Sequence, residues 1–164
     1  MKATFDRVSM LDGLRAVSAC VPNRTQKPIL LNVKLVVRAD KAVELQATDL
    51  EMAIVLRVGQ VDVHEPGECL LPAEMLQAVF GKIIDPVVAI EAGAEVGIGP
   101  VTSATSDFQL ATDVVTDYPD VAQFDVGERY HTLEAAALLN SIRRTEFASD
   151  VENTRYALNG VYLE

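Results

Sequence analysis

The sequence predicts an α+β fold, an antiparallel β-layer with two helices packed on one face, and three observations predict it. Short runs of β-branched and leucine residues separated by turn signals mark strands. Two segments carry apolar residues at helical spacing, and the strand, helix, strand order of the start returns late in the chain. With 164 residues, 49% hydrophobic and 23% charged, the chain is long and apolar enough to bury a real core.

Lys2 to Asp6 reads as a short strand. Ser9 then caps an amphipathic helix in which Leu11, Leu14, Val17 and Cys20 follow helical spacing, and Pro22 ends it. The polar loop Asn23 to Pro28 leads to a strand from Ile29 to Val37, a turn at Ala39-Asp40-Lys41 and a second strand from Val43 to Ala47. After a turn at Thr48-Asp49-Leu50, the strand Glu51 to Val58 alternates Met52, Ile54 and Leu56 with Ala53, Val55 and Arg57, so both of its faces are expected to be covered. Glu65-Pro66-Gly67-Glu68 is the next turn. Cys69-Leu70-Leu71 enters a helix started by Pro72, with Met75, Leu76, Val79 and Phe80 on its apolar side and Gly81 at its end. Short strands follow at Val87 to Glu91, Val96 to Ile98 and Phe108 to Ala111, and the segment from Asp117-Tyr118-Pro119 to Glu128 reads as the exit from the domain.

The formal charge of -10 argues at first against nucleic acid, since phosphate binding rests on Lys and Arg displacing counterions. Its distribution matters more than its sum. Eight of the 14 basic residues lie from Lys2 to Lys41, and none lies between Lys82 and Arg129, a span that holds Asp85, Glu91, Glu95, Asp107, Asp113, Asp117, Asp120 and Asp125. One cationic face with acidic faces elsewhere fits that pattern, as does a solvated acidic flank. No run approaches the roughly 18 apolar residues of a membrane helix, and Met1 to Arg7 lacks the apolar core of a secretory signal, so a cytoplasmic location is expected. Cys20 and Cys69 lack CxxC spacing and read as buried thiols, and no cofactor or metal site is expected.

An internal repeat governs the architecture. A shift of 127 residues lays Asn32 on Asn159, the strand from Ile29 to Val36 on Tyr156 to Leu163, and the first helix on one running from Leu133 to Arg144. The expected organisation is a complete first domain over residues 1–126 and the start of a second, truncated copy over 127–164. A stub of that size cannot bury a core by itself, which points to a fragment of a longer chain.

Six segments in register carry a resemblance: Lys27-Pro28-Ile29-Leu30-Leu31-Asn32, Ala47-Thr48-Asp49-Leu50-Glu51-Met52, Glu65-Pro66-Gly67, Pro72-Ala73, Asp117-Tyr118-Pro119 and Arg155-Tyr156-Ala157-Leu158-Asn159-Gly160. Together, and across the whole chain, they resemble the bacterial replicative sliding clamps, the beta subunits of DNA polymerase III. The resemblance implies a DNA clamp fold of three similar domains, with two chains closing head to tail into a ring whose helices line the hole. It implies a processivity factor without a catalytic site, whose partners are duplex DNA, the polymerase III catalytic subunit, the clamp loader and a second copy of itself.

The resemblance also implies roles for particular residues. Arg24, in the loop after the first helix, and Tyr156 match positions that touch the duplex. Arg7, Arg15, Lys27, Lys82, Arg143 and Arg144 lie on or beside the helices that would line the hole. Arg155 and Leu158 match a pocket for partner peptides. Phe108 and Leu110 match the apolar pair at the subunit junction, where Thr105 and Asp107 replace the basic residues often found beside it. By strand periodicity alone Phe108 and Leu110 would be core.

Two other function classes compete. A metal-dependent enzyme would have to use Asp49 with Glu51, or Asp113, Asp117 and Asp120, but carboxylates at turns ordinarily bond their own backbone, and the chain has no GxSxG, P-loop, HExxH or CxxC motif. The alternative binding module is a peptide-binding scaffold that forms no ring.

Overall fold

In a computed structural model of the protein, the described residues are 1–40, 42–121, 127, 131–149 and 160–163. The chain divides into two compact units, Met1–Gln123 and Phe124–Glu164.

The first unit opens with strand β1 (Lys2–Asp6), which runs without a loop into helix α1 (Arg7–Val17). Strands β2 (Asn32–Val37), β3 (Val43–Thr48), β4 (Ala53–Val58), β5 (Val61–Glu65) and β6 (Gly67–Pro72) follow. Helix α2 (Ala73–Lys82) leads to β7 (Val87–Glu91), β8 (Gly97–Thr102) and β9 (Asp107–Thr112). All strand pairs are antiparallel, in two sheets ordered β5-β1-β7-β8-β9 and β4-β3-β2-β6.

The β-layer expected from the sequence is thus split between two sheets, and the backbone shows where. Between β4 and β5 the chain passes from one sheet to the other through Gln60, at φ 56, and it returns between β5 and β6 through Gly67, at φ 149. Both values lie where side chains are disfavoured, and at Gly67 a Cβ would stand 3.0 Å from that of Met1. Glu65-Pro66-Gly67 is therefore a corner between sheets rather than a hairpin turn.

One apolar core fills the space between the sheets and under the helices. It takes Phe5, Val88, Ile90 and Val101 from one sheet, Val33, Leu35, Leu45 and Leu71 from the other, and Leu14, Val17, Leu76 and Phe80 from the helices. Gly13 lets α1 lie close on β3 and β4, since a Cβ there would meet Leu45 Cδ1 at 3.1 Å and Leu56 Cδ2 at 3.3 Å. A smaller cluster of Leu70, Val115 and Tyr118, with Ile29 packed on it, pins the exit segment, and Tyr118 Oη donates to the Asn32 carbonyl at 3.4 Å. Cys20 and Cys69 are buried free thiols, and burial pushes that of Cys69 up to about 12.

Several local expectations change. Asp6 caps α1, accepting the Ser9 backbone N–H at 2.8 Å; both residues suit a cap, and the strand running straight into the helix selects the earlier one. Cys69-Leu70-Leu71 belongs to β6, Ile29 to Leu31 form a 3₁₀ turn before β2, and Met75 of α2 is exposed. The face of β4 is only partly covered because it is the end strand of its sheet.

In the second unit, α3 (Ala135–Thr145) is as long as α1 and starts 128 residues after it, one more than the shift that aligns Asn32 with Asn159. At that register Met10, Leu11 and Leu14 match Leu138, Leu139 and Ile142, but Leu139 is 47% exposed and no residue of α3 is buried.

On the face of its sheet away from the core, Glu44 is nearly fully buried beneath Arg38 Nη2 at 2.9 Å, Gln46 Nε2 at 3.3 Å and Arg57 Nε at 3.5 Å. The hydrogen bond from Arg38 is the main cause that holds its carboxyl below the usual glutamate range. A depressed folded value stabilises the fold above the unfolded value of about 4.3, and that contribution is lost as pH falls through the folded value. At pH 7, Glu44→Gln should therefore lower the unfolding free energy by about 1–2 kcal/mol, a figure kept small because Arg38 is partly and Arg57 largely solvated. In urea denaturation the gap between wild type and variant should close in strong acid.

Candidate nucleic-acid interface

The core dictates which helical residues meet solvent. With Met10, Leu11, Gly13, Leu14 and Val17 turned inward, α1 exposes Val8, Asp12, Arg15 and Ala16 along one stripe, which Ala19 of the following 3₁₀ turn continues. With Ala73, Leu76 and Phe80 inward, α2 exposes Glu74, Met75, Ala78, Gly81 and Lys82. The helices pack side by side, and Ser18 Oγ lies 2.9 Å from Gln77 Oε1.

Each stripe carries one acid and one base. On α1, Arg15 Nη1 lies 3.3 Å from Asp12 Oδ1 in an exposed pair, and on α2 Lys82 stands two turns after Glu74. Arg7 contributes less than its sequence position suggests: it is half-buried, and its Nε is enclosed without a hydrogen-bond partner among the described residues. The excess of positive charge sits in the loop after α1, where Arg24 and Lys27 are both exposed. A groove of about 570 Å³ separates that loop from the start of α2, lined by Val21, Pro22, Asn23, Leu31, Pro72 and Met75 among others.

The five-stranded sheet and its loops present the opposite sign. Asp62, Glu65, Glu91, Glu95 and Asp107 are exposed there, and the Asp85 carboxylate accepts the Thr105 hydroxyl at 2.7 Å and its N–H at 2.9 Å, hydrogen bonds that hold its carboxyl below the usual range. Lys2, a base among these acids, is paired with Glu91 at 2.9 Å.

Of the residues singled out by the sequence, Arg15, Arg24, Lys27 and Lys82 are exposed in the first unit, while Arg143 and Arg144 are exposed at the end of α3 in the second. Tyr156, Arg155 and Leu158 lie outside the described residues. Phe108 is half-buried and packs on the core from β9, and Leu110 is 3% exposed, inside that core. Asp12 and Glu74, which neutralise the helix stripes, were missed. The Asp12 and Arg15 spacing of three on one helix was the available signal.

Two of the carboxylates considered for a metal, Asp49 and Asp113, have other work. Asp49 Oδ1 accepts the N–H groups of Glu51 at 2.9 Å and Met52 at 2.7 Å, a turn that holds Leu50 at φ 81. Asp113 Oδ1 accepts the Val114 N–H at 3.2 Å. Among the described residues no group of three or more His, Cys, Asp and Glu is placed to hold a metal ion.

Because Arg24 and Lys27 project into solvent, replacing both with alanine should change the unfolding free energy by less than about 0.5 kcal/mol in urea denaturation. A larger loss would mark them as structural.

Comparison with known proteins bears on the family and the fold. The chain is 35% identical to the beta sliding clamp of Escherichia coli K12 over 170 residues, covering all of this chain and 44% of that protein. It is 34% identical to the beta sliding clamp of Pseudomonas aeruginosa, with the same coverage. The crystal structure of the DNA polymerase III subunit beta from Pseudomonas aeruginosa superposes with a TM-score of 0.84 at 33% identity, over 98% of this chain and 43% of that one. Caulobacter crescentus pol III beta gives 0.83 at 30% identity, with 98% of this chain and 43% of that one covered. The chain thus spans less than half the length of the curated relatives it matches. The family model described as DNA polymerase III beta subunit, N-terminal domain, matches residues 1–122, and the chain belongs to that family.

Proposed function

We propose that this chain forms part of a sliding clamp, a ring that encircles duplex DNA without reading its sequence and tethers the replicative polymerase to it. The observation that carries the reading is the helix pair α1 and α2, whose common solvent face bears few, exposed and nearly balanced charges beside the cationic loop of Arg24 and Lys27. The names of the relatives, beta sliding clamps, support it.

A surface of this kind binds DNA weakly. Each phosphate neutralised steepens the dependence of log affinity on log salt by roughly 0.9, so a handful of contacts holds poorly at physiological salt. For a sliding protein that is an advantage, because enclosure supplies retention and the contacts need only guide. Arg24, Arg15, Lys27 and Lys82 would touch phosphates in the first domain, with Arg7 shifting from its half-buried position. Arg143, Arg144 and Tyr156 would do so in the second.

In this reading residues 1–126 are a complete clamp domain and 127–164 the start of the next. The matching apolar stripes of α1 and α3 favour that, since the α1 stripe is buried on its sheets while Leu139 remains exposed. Arg155 and Leu158 would help receive peptides from the polymerase catalytic subunit and the clamp loader. Phe108 would meet the next subunit in a head-to-tail contact, with Leu110 buried two residues along the same strand.

The test is topological. The native protein from its source, loaded with its clamp loader onto nicked circular DNA, should stay bound at physiological salt and be lost when the circle is cut to a linear molecule. Equal retention on circular and linear DNA would show binding by affinity and reject the ring.

A further inference from the structure

We propose that Asp12 keeps the first helix from gripping DNA, its carboxylate cancelling Arg15 so that a duplex passes over α1 with little net attraction while loop 21–27 carries the hold. This rests on the helix faces being the DNA-facing surface.

The two helices make the comparison internally. With α1 and α3 aligned by their starts, Arg15 and Arg143 occupy the same exposed slot, Asp12 falls on Asn140, and Ala16 falls on Arg144. The stripe of α1 therefore balances one acid against one base, whereas the same stripe of α3 carries two bases and an uncharged amide. Arg15 Nη1 and Asp12 Oδ1 are 3.3 Å apart with side chains 60% and 67% exposed, so the pair sits where a phosphate would approach. At that spacing the two charges lie well within a Debye length of each other, about 8–10 Å at ordinary salt, and a phosphate drawn to Arg15 also meets Asp12. In α3 the uncharged Asn140 leaves Arg143 and Arg144 undiminished, and among the described residues neither has an ion-pair partner.

An exposed i,i+3 pair contributes little to stability, so removing its acid tests charge rather than folding. The 164-residue chain is titrated with a short duplex of arbitrary sequence across a series of salt concentrations, and binding is followed by fluorescence anisotropy. Asp12→Asn should bind roughly threefold more tightly at low salt and steepen the log-log salt slope by roughly 0.9, the mark of one more phosphate contact. Arg15→Gln alone, which leaves Asp12 without its cation, should bind more weakly than wild type, and Arg15→Gln added to Asp12→Asn should return both affinity and slope to the wild-type values. If wild type binds and Asp12→Asn matches it in slope and affinity, or if the gain survives Arg15→Gln, the role of Asp12 is overturned. No binding by wild type or Asp12→Asn even at the lowest salt would overturn the DNA-facing reading, and this inference with it.

Discussion

The constraint on which the first unit depends is the closure of its core by α1 and α2. Two sheets alone leave an apolar interior open to solvent, and burying a leucine or phenylalanine side chain contributes about 1.5–3 kcal/mol. Leu14, Val17, Leu76 and Phe80 therefore fix which side of each helix faces in, and Gly13 lets α1 settle onto Leu45 and Leu56. Once the inner stripes are set, the outer stripes have no freedom. The surface that would meet DNA is the reverse side of the core.

That dependence explains the electrical character of the unit better than its net charge does. Acids gather on the five-stranded sheet and its loops, where Glu91 pairs with Lys2 and Asp85 bonds Thr105, and the helix face is left close to neutral with its cations beside it in the loop. Total charge would suggest a protein that repels DNA. On the proposed reading, local distribution would leave a weakly attractive helix side, as a protein retained by enclosure requires.

Much of the fold was legible because helical and strand periods leave different marks. The apolar spacing of Leu11, Leu14 and Val17, and of Leu76 and Phe80, located both helices, and the turn chemistry of Asp49 was read correctly as backbone bonding. The division into two sheets was not legible, because it depends on the backbone at Gln60 and Gly67 and on β5, a short strand whose exposed Asp62, His64 and Glu65 look like loop. For the interface, the sequence supplied the cations but not their surroundings. Nothing in the spacing of Arg7 announces that it is half-buried, and only the fold shows that Leu110 is fully enclosed while Phe108 on the same strand face is half-buried.

On the proposed reading, DNA meets the helix side of the first unit and not its sheets. Backbone amide NMR shifts, recorded as a short duplex is added at low salt, test it most directly. Perturbations should cluster on Asp12, Arg15, Ala19, Lys82 and the loop from Asn23 to Lys27, and weaken together as salt rises. Perturbations centred on the sheet surface around Glu44 or Asp107, with the helix stripes unchanged, would contradict it.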